Sequence, residues 1–155
     1  QIKFDISDDA AAPVIDAFAE KSAAKLPGWL FKRRSMRLNF AVGINEIDNI
    51  NKPPNSYIGL IEIRKAGIKS AEFLVNNEKW REHIPKALHD VILTQADRTP
   101  IADVHSIDLM LDNDVFGALM LDPAITDMRL RVDCEVEGQA EIVVYYFDDY
   151  AKSSF

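Results

Sequence analysis

One cysteine, Cys134, stands in 155 residues, so no intramolecular disulfide can form and the fold must be held by a buried core. Six glycines are scattered along the chain, which leaves no Gly-rich loop to cradle a phosphate, and no GxSxG pattern occurs. The three histidines, His83, His89 and His105, form no HExxH pattern, and CxxC is absent. His83 and His89 are six residues apart, about 240° around a helix, so they share no helical face. No apolar run approaches ~18–20 residues, which excludes a membrane-spanning helix of ordinary length. The opening Gln1–Asp5 stretch carries no apolar signal segment. A cytoplasmic location is expected, with the periplasm left open because a removed signal peptide leaves no trace.

Basic residues are scarce in one part of the chain. Residues 1–94 carry 14 Lys/Arg against 12 Asp/Glu, a charge of +2. Residues 95–155 carry four basic residues, Arg98, Arg129, Arg131 and Lys152, against 13 acidic ones, a charge of −9. The total of −7 is a poor match to nucleic acid, whose phosphates require a basic face. A regional excess of this kind suits a basic protein partner, which it would steer and hold. What is present otherwise, 48% hydrophobic and 28% charged residues, is the composition of an ordinary folded domain, and residues 1–155 are read as one such domain.

Ser7, Asp8 and Asp9 can cap a helix over about residues 10–25, with Val14, Phe18 and Leu26 along one stripe and Pro27-Gly28 ending it. Met36, Leu38, Phe40, Val42 and Ile44 alternate with Arg37, Asn39, Ala41 and Gly43, as in one strand with a single buried face. Asn45–Ser56, with Pro53-Pro54, reads as a loop. Tyr57–Arg64 is apolar on both faces at its start, as a central strand is, and Ser70–Val75 is a third strand. Trp80, Ile84, Leu88 and Val91 recur at helical spacing after Asn76-Asn77, with a break at Pro85 and the better helix from there to Gln95. His105–Leu111 alternates as a strand, and Asp112-Asn113-Asp114 is a turn into residues 115–121, which fit a strand or a short helix capped by Asp114.

The strongest pattern is at the C-terminus. Met128–Val136 alternates and Ala140–Phe147 is β-rich. A hairpin through a Glu137-Gly138-Gln139 loop would set Val132 against Val144 and Leu130 against Tyr146 on one face. It would set Arg131 against Tyr145 and Arg129 against Phe147 on the other. The resulting expectation is an α+β domain: a mainly antiparallel sheet of five to seven strands with two principal helices packed on it.

None of these patterns fixes a reaction. Asp112-Asn113-Asp114-Val115-Phe116-Gly117 departs from a calcium loop, with Phe116 at a ligand position and Pro123 where the closing Glu belongs. Cys134 reads as inert core. His105 beside Asp103 is the one local base–carboxylate pairing, and it marks where a catalytic or small-ligand site would lie. Trp29–Arg34 mixes aromatic and basic residues, a weak sign of phosphate or membrane contact. No metal or cofactor is implied. The sequence therefore points to a non-enzymatic acidic binding module, most concretely an inhibitor of the immunity type that neutralises a basic toxin or nuclease. Asp112, Asp114, Tyr145, Phe147, Asp148, Asp149 and Tyr150 would contact that partner, with the last three as an exposed acidic and aromatic tip. The alternatives are an enzyme or ligand binder at His105 and Asp103, and a structural subunit that self-associates through Arg129, Arg131, Tyr145 and Phe147.

Overall fold

The alternation from Met36 to Ile44 is real, but the strand does not run straight through it. In the computed structural model, which describes residues 28–149, strand β1 (Trp29–Phe40) stops at Phe40 and β2 (Gly43–Ile47) starts in a different sheet. Gly43 takes φ 94°, where a side chain is strained. Asn45 clamps the corner: its Oδ1 accepts the Ala41 N–H at 2.9 Å and its Nδ2 donates to the carbonyls of Ala41 and Gly43. The corner resets the facing, so Phe40 is buried while Val42 and Ile44 are exposed.

The first sheet is built on β3 (Ser56–Arg64) and β9 (Gly138–Asp149), in the order β1-β9-β3-β6, where β6 is Val104–Asp108. The short β7 (Leu119–Met120) pairs with the start of β3. The second sheet runs β2-β8-β4-β5, with β4 at Ile68–Val75, β5 at Glu78–Pro85 and β8 at Met128–Cys134. The strand pairings are antiparallel. Ile58, Ile61, Ile63, Ile142, Val144 and Tyr146 of the first sheet join Phe73, Leu130, Val132 and Cys134 of the second in one core. The fold is a β-sandwich with one short helix among the described residues, α1 (Lys86–Gln95), which corrects the α+β expectation. The helix read over residues 10–25 lies outside the described residues.

Two local features caused the difference. Asn76 and Asn77 both take positive φ, 51° and 65°, and form a two-residue hairpin turn that sends Glu78–Pro85 back along β4 as a strand. Trp80 and Ile84 therefore belong to β5, and the helix begins after Pro85. On α1 the buried side chains are His89 and Leu93, while Leu88 and Val91 face outward.

The second feature is the C-terminal connection. β8 pairs with β2 and β4, and β9 pairs with β1 and β3, so Glu135–Glu137 is an arch between sheets and the expected hairpin does not form. The inward residues are the expected ones, Leu130, Val132 and Cys134 against Ala140, Ile142, Val144 and Tyr146. They meet across the core instead of along a ladder, because alternation specifies a strand's faces and leaves its partner open. After β6, a 3₁₀ turn (Val115–Gly117) follows Asp114, whose carboxylate accepts the Phe116 N–H at 2.9 Å, and β7 comes next.

Candidate functional site

The outward side of the first sheet carries the largest exposed aromatic surface of the described chain. Along β1, Phe31, Arg33, Ser35 and Arg37 point away from the core, opposite Phe147, Tyr145, Val143 and Glu141 of β9. Tyr57, Leu60, Glu62 and Arg64 of β3 continue the same rows. The Phe31 ring lies 5.1 Å from Phe147 and 5.6 Å from Tyr145, and Trp29 meets Tyr57 edge-on at 5.5 Å. Trp29, Phe31 and Phe116 are nevertheless 63%, 61% and 93% exposed. Trp29, Tyr57, Phe116, Ala118 and Phe147 line an apolar cleft of about 420 Å³. Gly59 makes room for the Phe147 ring and for Met110: a Cβ there would lie 2.5 Å from Cε2 of Phe147 and 2.6 Å from Cε of Met110.

Beside the aromatics lies a closed polar group. Arg64 donates to Glu62 through Nη2 at 2.7 Å and Nε at 3.0 Å, and the Tyr145 hydroxyl donates to the same Glu62 oxygen at 3.0 Å. Hydrogen bonding to Glu62 raises the Arg64 pKa above its ordinary value. Val143, in the middle of this outward face, is fully buried. Arg33 and Arg37 are exposed and have no side-chain partner among the described residues.

The outward side of the second sheet is ionic. Arg131 donates to Glu46 at 2.6 Å and to Glu72 at 3.1 Å, and hydrogen bonds to these two carboxylates raise its pKa. Lys79 reaches Glu72 at 3.6 Å, and Arg129 reaches Glu46 at 3.9 Å. Ile44, Glu46, Glu72, His83, Arg131 and Asp133 line a shallow hollow of about 220 Å³.

The expected contact residues separate. Tyr145 and Phe147 stand on the aromatic face. Asp148, expected at an exposed tip, is 1% exposed, and its carboxylate accepts from Lys32 Nζ at 2.7 Å. It points to the inner side of β9, where burial requires a cation. Asp149 closes β9 opposite Trp29, and Tyr150 lies outside the described residues. Asp112 and Asp114 belong to the turn before the 3₁₀ segment, with Asp114 exposed. Arg129 and Arg131 lie on the other sheet from Tyr145 and Phe147, so the four do not make one face.

His105 is buried against the ring of His89 at 4.6 Å, whereas Asp103 is exposed and its backbone carbonyl accepts the Lys65 N–H. Burial holds both histidines below their ordinary pKa, His105 at about 4. Cys134 is core, and burial raises its thiol pKa. Among the described residues no group of three or more His, Cys, Asp or Glu side chains could hold a metal ion. The Trp29–Phe31 segment and Tyr145–Phe147 were legible separately; that β1 lies beside β9 is what joins them. Phe116 carried no signal beyond being an aromatic in a turn.

Comparison with known proteins places this sandwich. The model of the family described as "Viral coat protein P2 C-terminal domain" matches residues 31–150. The major capsid protein P2 of Pseudoalteromonas phage PM2 is 37% identical over 155 residues, all of this chain and 58% of that protein. The crystal structure of the major capsid protein P2 from bacteriophage PM2 superposes with a TM-score of 0.82 at 34% identity, over 86% of this chain and 50% of that one. The chain thus spans little more than half the length of these relatives. The matches overturn the reading as an immunity-type inhibitor or antitoxin with a basic toxin as partner. The acidic excess that suggested it includes groups engaged within the fold, such as Asp108 with Arg98 and Asp148 with Lys32.

Proposed function

We propose, from the premise that this chain belongs to the viral coat protein P2 C-terminal domain family, that it is a structural domain of a virus coat and that its partners are other coat subunits. The observation that carries the reading is the family match over residues 31–150, which takes in nearly the whole described sandwich. The 37% identity to a major capsid protein supports it. So does the exposed aromatic surface of Trp29, Phe31 and Phe116, since contiguous apolar patches of this kind mark protein contacts. In such a role the chain performs no reaction. Its chemistry is burial of apolar area against neighbours, with charge deciding which neighbours fit.

The test is composition. Particles purified by density gradient from the culture that produces this protein should contain it as a major component, counted by quantitative mass spectrometry of the intact particles. Its absence from those particles would overturn the reading.

A further inference from the structure

We propose that the aromatic face of β1 takes a second copy of this chain, and that the surface it takes is the corner of the opposite sheet. This rests on the coat-domain reading and adds to it the two surfaces that meet. Among the apolar residues that the sandwich exposes, two groups lie beside charged side chains. One is the β1 face, where Trp29 and Phe31 are flanked by Arg33 and Arg37. The other is the β1–β2 corner, where Val42 and Ile44 are exposed and Ile44 stands opposite Asp133 of β8.

The charges match. Arg33 and Arg37 have no side-chain partner among the described residues, and neither has Asp133. One surface is therefore cationic and aromatic, and the other aliphatic and acidic. Two copies of the β1 face would set arginine against arginine, so a contact of that face with itself is disfavoured. The two surfaces lie on different sheets, so one copy cannot join its own pair. Each copy offers one surface to the copy before it and the other to the copy after it, a heterologous contact that propagates or closes into rings.

That geometry gives an experiment on the 155-residue chain. The double variant Phe31→Ser/Arg33→Glu damages one surface, and Ile44→Ser/Asp133→Arg damages the other. All four positions are solvent-facing or half-buried, and circular dichroism checks that both variants fold. By sedimentation velocity the wild type should form species beyond dimers. Each variant alone should lose self-association by about tenfold or more. A mixture of the two variants should form a dimer and stop there, because each retains the surface that the other lacks.

A wild type that stays monomeric overturns the proposal, as do variants that associate like the wild type or a mixture that stays monomeric. Flotation of the wild type with anionic phospholipid vesicles, lost in Phe31→Ser/Arg33→Glu, would assign the β1 face to a membrane and overturn it as well. Failure here is distinct from failure of the coat reading. Particles that contain the chain while both variants associate normally would remove these surfaces and leave the coat role standing.

Discussion

The two outward faces of the sandwich each hold a buried glutamate on a half-exposed arginine, but give it different second partners. On the first sheet Glu62 is buried, bound by Arg64 and Tyr145, and Val143 beside it is fully buried although it points away from the core. On the second sheet Arg131 lies between the exposed Glu46 and the buried Glu72, with Lys79 and Arg129 close by. The first face sets its buried carboxylate among apolar side chains and a neutral hydroxyl, and the second sets an equally buried one between two cations that can replace one another. Substitutions on the first should be costly and indifferent to salt, and those on the second cheap and sensitive to it.

The largest effect is expected at Val143. Val143→Asp places a carboxylate between Ser35 and Glu62, at a position with no exposure and an acidic neighbour. Burying that charge should cost about 4 kcal/mol, read as a fall in the urea midpoint. A loss as small as that of a surface substitution would show that this face is wet after all and would erase the contrast.

Acid should give the next largest effect, through the edge where α1 bridges the sheets. His105 and His89 stack there, with Ser106 O bonded to His89 and with Lys86, Asp90 and Arg81 as the charges that reach the pair. Because the folded pKa of His105 is about 4 against 6.5 unfolded, the unfolded chain takes up the proton first as pH falls. Stability is full above pH 6.5, declines between 6.5 and about 4, and levels off below. His105 alone contributes a loss of about 3 kcal/mol across that window. Urea midpoints taken along it should fall for the wild type and fall less for His105→Leu. Equal slopes would remove the histidine pair as the cause.

How much of this was legible in the sequence follows from what each pattern encodes. The inward set of β8 and β9 could be read residue by residue, because alternation states which side chains are buried. The partner of each strand could not, since a hairpin and an arch between sheets bury the same residues. Trp80 and Ile84 fit a helical stripe and a strand equally well over so short a run, and the positive φ of Asn76 and Asn77 decided for the strand. The aromatic face was half legible: Phe31 and Tyr145 are 114 residues apart, and nothing local in either segment says that β1 pairs with β9. Asp148 was misplaced for a simple reason. An acidic residue at a strand end reads as exposed, and the lysine that accompanies it into the interior comes from β1.

A smaller effect is expected at Tyr145. Tyr145→Phe keeps the ring on Phe31 and removes the hydroxyl that donates to Glu62. The partner left short is a buried carboxylate that still has Arg64, so the loss should be about 1–2 kcal/mol and nearly the same in low and high salt. Measuring the urea midpoint at both salt concentrations checks this.

The smallest effect should come from Arg131→Ala, even though Arg131 makes the shortest ion pair among the described residues, 2.6 Å to Glu46, and a second at 3.1 Å to Glu72. Removing it does not strand either carboxylate. Glu72 keeps Lys79 at 3.6 Å, and Glu46, which is exposed, keeps Arg129 at 3.9 Å and water. Arg131 is itself half exposed and Glu46 is exposed, so that pair offsets its attraction by side-chain ordering and is screened by salt, while Lys79 stays beside the buried Glu72. The urea midpoint of Arg131→Ala should therefore stay near the wild-type value, and what difference exists should vanish at high salt. A penalty as large as that of Tyr145→Phe, persisting in high salt, would mean that Lys79 does not take over at Glu72, and the two faces would then differ in composition without differing in kind.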